Sequence, residues 1–574
     1  MTETDPLVLR AQAWIDDDPD PQTQTELRGV VQAYTAGVNG AGDDLASRFS
    51  GFLEFGTAGL RGQIGAGPNR MNRAVVIRAA AGLAAYLTET LSAAGHTPSA
   101  RVVIGRDARH GSDDFAVDTA AVMIAAGHEA LLLPPALPTP VLAFAVRALG
   151  ADAGVMVTAS HNPPQDNGYK VYLGGRVVTD AGQGAQIVPP YDALIASHIA
   201  GVASVASVPR AESGWQALGN DVASDYIAAA ATTIPAPSET VPGARAALRI
   251  VFTPMHGVGG ETLREALAAA GFTDVHAVLE QALPDPDFPT VDFPNPEEPG
   301  AIDLSLELAQ RLHADLVIAN DPDADRCAVA TLINGQWQML HGDVVGSLLG
   351  EHLAQRSAGS GGVLANSIVS SRQLAAIAKR HGLSHKSTLT GFKWIAREPG
   401  LLYGYEEALG YCVAPSVVAD KDGITAALVI ADMVASLKAQ GRTLTDAIDD
   451  LARTYGVYLT RQVSARFTDV SLIAPTMEGI LAGPPTSLGG SSVIAAEDMA
   501  QGIDGLPPTT GVRITTEAGF RVIIRPSGTE PKVKAYLEVI TPVQGDNLGA
   551  ARNGAVTAMD ALEADVKIAL GLAN

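Results

Sequence analysis

Short apolar runs that stop abruptly at polar, glycine-rich loops recur through the first three quarters of the chain. Gly154-Val155-Met156-Val157 passes into Thr158-Ala159-Ser160-His161-Asn162-Pro163, and Leu248-Arg249-Ile250-Val251-Phe252-Thr253 into Pro254-Met255-His256-Gly257. Asp315-Leu316-Val317-Ile318-Ala319 passes into Asn320-Asp321-Pro322-Asp323-Ala324-Asp325-Arg326. Runs of this length fit buried strands, and the stretches between them carry helical spacing. Two helices are predicted over about 7–35, broken at Asp18-Pro19-Asp20-Pro21. A turn-rich stretch follows at 37–44, and a long helix over about 72–94 is stopped by Gly95. Strands are predicted at 101–105 and 129–133, and helices after Pro140, from about Glu261 and over 343–355. Strand–helix alternation implies a largely parallel sheet, with ligands at the strands' C-terminal ends. After about Tyr455 the pattern changes to alternating strands at 460–467, 511–515, 520–524 and 533–540, then a helix from about Asn547. That pattern predicts a smaller α+β domain.

At 574 residues the chain should hold several domains. Residues 201–213 and 234–243 have linker composition, and 283–299 reads as a long proline-rich loop. No stretch reads as a membrane span, and the N-terminus lacks the basic start and apolar core of a signal peptide. Cys327 and Cys412 have neither disulfide-framework nor metal-ligand spacing, so two ordinary thiols of a cytoplasmic protein are expected. With 62 acidic against 39 basic residues, the net charge of −23 disfavours nucleic acid and anionic membranes. Anionic substrates would also be repelled unless lysines and arginines are gathered locally. Basic residues in glycine-rich loops therefore matter, as in Phe55-Gly56-Thr57-Ala58-Gly59-Leu60-Arg61-Gly62.

Asp321, Asp323 and Asp325 alternate through one loop after an apolar strand. Their mutual repulsion calls for positive compensation, and oxygen ligands suit Mg²⁺. The EF-hand pattern is excluded by Arg326 at the sixth loop position and Leu332 at the twelfth; a merely solvated acidic loop remains open. Arg326 could hold a phosphate oxygen. Ser160 could be a turn residue or, paired with the aspartate loop, a phosphoryl carrier. His161 beside it does not make a triad, because sequence neighbours rarely present that geometry. Arg525-Pro526-Ser527-Gly528-Thr529-Glu530-Pro531-Lys532 reads either as an anion cradle or as an ordinary turn. Glu406 and Glu407 could accept hydrogen bonds from sugar hydroxyls, and Lys170 and Lys421 could serve as acid/base or charge-stabilising groups.

Thr158-Ala159-Ser160-His161-Asn162-Pro163, Asp321-Pro322-Asp323-Ala324-Asp325-Arg326, Tyr405-Glu406-Glu407-Ala408 and Arg525-Pro526-Ser527-Gly528-Thr529-Glu530-Pro531 together resemble the α-D-phosphohexomutase superfamily, in family order. Gln165-Asp166-Asn167-Gly168-Tyr169-Lys170-Val171-Tyr172 looks most like the branch containing phosphopentomutases. The resemblance implies an α/β protein of four domains around a central cleft. Three are similar α/β domains with mixed, mostly parallel sheets, and the last is a smaller C-terminal α+β domain. The expected boundaries are 1–205 with the N-terminal helical extension and phosphoserine loop, 206–325 with the metal loop, 326–455 with the sugar loop, and 456–574 with the phosphate loop.

It further implies that Ser160 carries the phosphoryl group and that Asp321, Asp323, Asp325 and a phosphoserine oxygen hold Mg²⁺. Arg61, His161, Lys170 and Lys421 are then the candidates for proton transfer and transition-state charge. Arg326, Lys393, Glu406, Arg525, Ser527, Gly528 and Thr529 are expected to bind substrate. Many relatives have serine where this chain has Ala408, which bears on sugar recognition. The implied reaction interconverts hexose 1- and 6-phosphates, glucose first and mannose next, through a sugar bisphosphate that also primes the enzyme. A phosphopentomutase, a sugar bisphosphate synthase and a non-catalytic phosphosugar sensor are the competing readings. The expected partner is a small phosphosugar, with the chain a monomer or homodimer.

Overall fold

The computed structural model describes residues 5–54, 59–236, 241–357, 359–467, 470–526 and 532–572. The chain forms two compact units. One comprises 1–331, 335–339 and 410–439; the other comprises 332–334, 340–409 and 440–574.

In the first unit a sheet runs in the order Leu60–Gln63, Asp166–Leu173, Ala153–Val157, Arg101–Arg106, Glu129–Leu132, Gln216–Ala217. Its centre is parallel (Ala153–Val157 on Arg101–Arg106 on Glu129–Leu132), while Asp166–Leu173 returns antiparallel and pairs with Leu60–Gln63. Every residue of Ala153–Val157 is buried, as an apolar run flanked on both sides requires. A second sheet places Arg249–Thr253 parallel to Leu316–Ala319, so both polar loops seen in the sequence leave at the same sheet end.

Helix Arg73–Ala93 is long and apolar enough to cross a membrane, but two thirds of its most apolar window is buried within the protein. Its start is fixed by Asn72, whose Oδ1 accepts from Val75 N at 2.9 Å. Helix Gly423–Ala439 went unpredicted because it is apolar all round, and it packs against the helices Asp221–Ala231 and Gly259–Ala269. Helix Ala41–Arg48 lies partly in the stretch read as turns. Gly40 at φ +80° starts it, and Asp43 and Asp44 in its first turn favour the helix dipole.

The segment 201–213 is not a free linker. Asp17 accepts from Ser204 Oγ, Val205 N and Ala206 N at 2.5–2.9 Å, and Val205 is buried. The linker expected at 234–243 lies partly outside the described residues. The long loop 283–299 is anchored by Phe288, which is buried beneath the Arg109 guanidinium.

The second unit holds a parallel run of Ser384–Thr388, Val363–Ser367 and Leu401–Glu406. It also holds an antiparallel sheet ordered Val457–Arg466, Lys532–Thr541, Arg521–Pro526, Val512–Thr516, Ser491–Asp498, Ser487–Leu488, against which helix Leu548–Ala569 packs.

Asp152, which is 1% exposed, ties the first sheet together by accepting from Arg101 N at 2.9 Å and Arg176 Nη2 at 2.6 Å. Burial alone would raise its pKa, but these donors hold the carboxyl below its ordinary value. A depressed folded value means stability present above the ordinary carboxylate range and lost as pH falls through the folded pKa. Asp152→Asn should therefore cost about 1–3 kcal/mol at pH 7 in denaturant unfolding. Its deficit relative to wild type should shrink below about pH 4.

Candidate active site

The buried strand Ala153–Val157 delivers Ser160 in the left-handed region, at φ 53°. Such a conformation is costly for a non-glycine residue and persists only where the surroundings impose it. They do so here through Thr158 Oγ1, which accepts from Ser160 N at 2.9 Å, and above all through Arg109. The Arg109 guanidinium donates to the carbonyls of Ser160 and Asn162 at 2.6 Å, Pro163 at 2.8 Å and Asp166 at 3.1 Å. Arg109 is 4% exposed, and Asp107 lies 3.4 Å from its Nε. In the sequence, Arg106-Asp107-Ala108-Arg109 is simply a polar stretch after the strand expected at 101–105. Nothing in its spacing announces that one arginine grips the backbone of a loop fifty residues on.

Ser160 Oγ donates to Asp321 Oδ2 at 2.6 Å and lies 3.2 Å from His161 Nδ1. The carboxylates of Asp321, Asp323 and Asp325 are buried, and each offers an oxygen within 4.8 Å of the others. Positive charge surrounds them. Lys170 Nζ donates to Asp323 Oδ2 at 2.7 Å and Asp325 Oδ2 at 2.9 Å, and Lys421 Nζ lies 3.0 Å from Asp325 Oδ2. Arg326 Nε is 3.9 Å from Asp321. Thr139 Oγ1 donates to Asp323 Oδ2 at 2.7 Å. Arg61 Nη1 donates to Asn162 Oδ1 at 3.0 Å.

The electrostatics follow from this geometry. Burial, then Asp323 and Asp325, push the Asp321 carboxyl well up. Burial opposes ionisation of Asp325 too, but Lys170, Lys421 and Arg326 hold it down. Burial, Arg326 and Arg61 keep the His161 imidazole well below its usual value, hence neutral.

The aspartate cluster fits a hard cation. Asp323 Oδ1 and Asp325 Oδ1 are buried and accept no hydrogen bond from the described residues, and three clustered carboxylates are the donor set such an ion takes.

Ser160, His161, Arg61, Lys170, Lys421, Arg326 and the three aspartates are thus brought together in the first unit. The other expected binding residues belong to the second. There Lys393 is buried, and Glu406 Oε1 accepts from Gly391 N at 2.7 Å. Arg525 sits in the strand Arg521–Pro526. Ser527, Gly528 and Thr529 lie outside the described residues, as do Phe55 to Ala58 of the glycine-rich loop ahead of Arg61. Glu407 is bonded within its own unit: its Oε2 accepts from Ser367 Oγ and Ser370 Oγ. Two residues given no role in the sequence reading back Asp420, the neighbour of Lys421. Tyr172 OH and Gln186 Nε2 each donate to Asp420 Oδ2 at 3.0 Å.

Fold and site together define a class, an α/β protein in which a loop serine sits on a buried carboxylate cluster. The phosphoglucomutase/phosphomannomutase family models match in succession: α/β/α domain I over residues 53–200, domain II over 224–332, domain III over 341–455 and the C-terminal domain over 491–551. A Haemophilus influenzae protein named "Probable phosphomannomutase" is 47% identical over 474 residues, covering 82% of this chain and 93% of that one. The Mus musculus phosphopentomutase is 33% identical, covering 92% and 89%. The Paramecium phosphoglucomutase parafusin, in its open form, shares the fold at a TM-score of 0.67 and 18% identity, covering 91% and 95%.

The chain belongs to the phosphoglucomutase/phosphomannomutase family. It is a four-domain phosphosugar mutase, an isomerase that moves phosphate within a small sugar phosphate.

Two outcomes test the geometry. Saturating Mg²⁺, at about a hundred times its dissociation constant, should stabilise the protein by about 2.7 kcal/mol. Asp323→Asn should shift that thermal titration to Mg²⁺ concentrations at least about ten-fold higher. Arg109→Met should lower kcat by about a hundred-fold with little change in KM. Arg109→Lys should not rescue it, since a lysine cannot reach four carbonyls with one planar fork.

Proposed function

We propose that this enzyme interconverts hexose 1-phosphate and hexose 6-phosphate, glucose first and mannose second, with Ser160 as the phosphoryl carrier. The contact that carries the reading is the 2.6 Å hydrogen bond from Ser160 Oγ to Asp321, beside two buried carboxylate oxygens without donors. The names of the matching family models and of the 47% identical relative favour a hexose.

In the proposed cycle a hydroxyl of the bound monophosphate attacks the phosphorus on Ser160. The phosphorus–Oγ bond breaks, a new phosphorus–oxygen bond forms, and the hydroxyl proton passes to a basic group of the site. The sugar bisphosphate then returns its other phosphoryl group to Ser160 Oγ. A divalent cation, when bound by Asp321, Asp323 and Asp325, supplies neutralisation of charge spread over the transferring oxygens. Arg61, Lys170 and Lys421 add positive charge around that position, and His161, neutral and next to Ser160, is able to accept a proton. Arg326 binds phosphate oxygen. Glu406 binds sugar hydroxyls, and Lys393, Arg525, Ser527, Gly528 and Thr529 bind the phosphate that does not react. The sugar bisphosphate is the primer. The domain boundaries at 205, 325 and 455, a cytoplasmic location and a monomer or homodimer without nucleic acid or membrane partners belong to the same reading.

A second reading has its own support. Relatives named phosphopentomutase or phosphoribomutase match 91–92% of the chain at 33–35% identity. Ala408 also stands where the sugar loop of many relatives has serine. In that reading the substrate is ribose or deoxyribose 1-phosphate.

Initial rates with Mg²⁺ and trace bisphosphate decide between them. A kcat/KM for glucose 1-phosphate or mannose 1-phosphate at least about ten-fold above ribose 1-phosphate is expected. The reverse order makes the enzyme a pentomutase. Ser160→Ala should lose turnover by about a thousand-fold or more while still binding the sugar phosphate; full activity in that variant removes Ser160 from the mechanism.

A further inference from the structure

In the second unit the loop 367–372 is bonded on two sides. Toward the sugar loop, Ser367 Oγ and Ser370 Oγ donate to Glu407 Oε2 at 3.0 and 2.9 Å, and Glu407 N donates to Ser370 Oγ at 3.1 Å. Ser371 N donates to Asp343 Oδ1 at 2.7 Å, the same oxygen that accepts from Tyr405 OH at 3.0 Å. Toward the antiparallel sheet, Arg521 donates to the carbonyls of Ile368 at 2.9 Å and Ser370 at 2.6 Å. Glu538, facing Arg521 in register, accepts from Ser371 Oγ at 2.9 Å, Arg372 N at 2.7 Å and Arg372 Nε at 2.5 Å. Ile368 and Val369 pack with Met499, Ile503 and Ile523 around the same contact.

Arg521 is 8% and Glu538 1% exposed. Burying this pair brings little net stability over an apolar packing, so what it supplies is registry. Ser370 is the residue at which the two sides meet, its hydroxyl on Glu407 and its carbonyl on Arg521. Glu406 immediately precedes Glu407, and Arg525 is the penultimate residue of the strand that Arg521 begins. The junction thus ties the sugar loop that carries Glu406 to the strand that carries Arg525.

We propose that Ser370 and Arg521 are positioning residues that set the length of sugar phosphate the enzyme accepts, by fixing the distance from Glu406 to Arg525. This rests on the mutase reading and on Glu406 and Arg525 touching substrate. A hexose and a pentose phosphate differ by one carbon between the hydroxyls and the distal phosphate. A fixed spacing discriminates between them, and a loosened one does not.

Arg521→Met should raise KM for the preferred sugar phosphate by about ten-fold with kcat nearly unchanged, the pattern of lost uniform binding. It should also compress the kcat/KM ratio between hexose and pentose 1-phosphates. Arg521→Lys, which keeps the charge without the fork, should restore little. Ser370→Ala removes only the hydroxyl side and should show the same changes at smaller size, so it carries the test if Arg521→Met does not fold. Wild-type KM and wild-type sugar ratio in a folded variant overturn the proposal.

Hydrogen exchange separates its failure from that of the mutase reading. A wild-type protein that turns over no sugar phosphate sinks the mutase reading alone. Ser370→Ala should then still speed exchange in both Leu401–Glu406 and Arg521–Pro526. Faster exchange confined to 368–372 overturns the coupling.

Discussion

Three carboxylates buried within 4.8 Å of one another are the constraint on which the first unit depends. At an effective dielectric of about 20, each pair at that separation repels by roughly 3–4 kcal/mol. No short segment can compensate this alone. The cations come from separate parts of the chain: Lys170 from the returning strand Asp166–Leu173, Lys421 from the turn before helix Gly423–Ala439, and Arg326 from the aspartate loop itself. Each arrives through a different piece of the fold, which ties folding and function to the same residues. The carboxylate oxygens left without donors among the described residues are the kind of ligand a hard divalent ion takes.

Convergence on that cluster is also steric, and two glycines make it possible. A Cβ on Gly257 would lie 2.3 Å from Pro322 Cα, and one on Gly423 would lie 2.2 Å from the Arg326 carbonyl. The backbones of two loops therefore approach the aspartate loop more closely than side-chain-bearing residues permit. Gly423 N also donates to Ala324 O, and Val258 N to Pro322 O, so the approach is hydrogen-bonded on both flanks. The loop is held in its conformation from outside itself, as is the left-handed Ser160, which Arg109 secures.

The second unit solves a similar problem with opposite emphasis. Its buried polar groups, Arg521, Glu538 and Asp343, lie between a parallel α/β layer and an antiparallel sheet, and they bond mostly to a loop. In the first unit the buried charges gather around the Ser160 hydroxyl. In the second they gather around a structural junction.

Much was legible in the sequence because it is local. Period-two and period-3.6 patterns, turn residues and the alternation of Asp321, Asp323 and Asp325 lie within single short windows, and the strands expected at 154–157, 248–253 and 315–319 form as Ala153–Val157, Arg249–Thr253 and Leu316–Ala319. Ser160 and the aspartates were identifiable because each loop follows an apolar strand. The helix Gly423–Ala439 was not, because burial on all sides erases the amphipathic period that marks a helix. The linker expected at 201–213 failed for a related reason: small polar residues look solvent-bound until Asp17, almost two hundred residues earlier, accepts their backbone donors. Which residues would meet at the site was likewise a tertiary matter. Arg109 on four carbonyls, Glu407 on serines, and Tyr172 and Gln186 behind Asp420 depend on contacts between distant segments. The sequence by itself determined the elements and the chemical groups at their ends, because strand pattern and loop composition are written within a few residues. Only the tertiary structure decided which charge faces which, because that depends on where strands far apart in the chain come to lie.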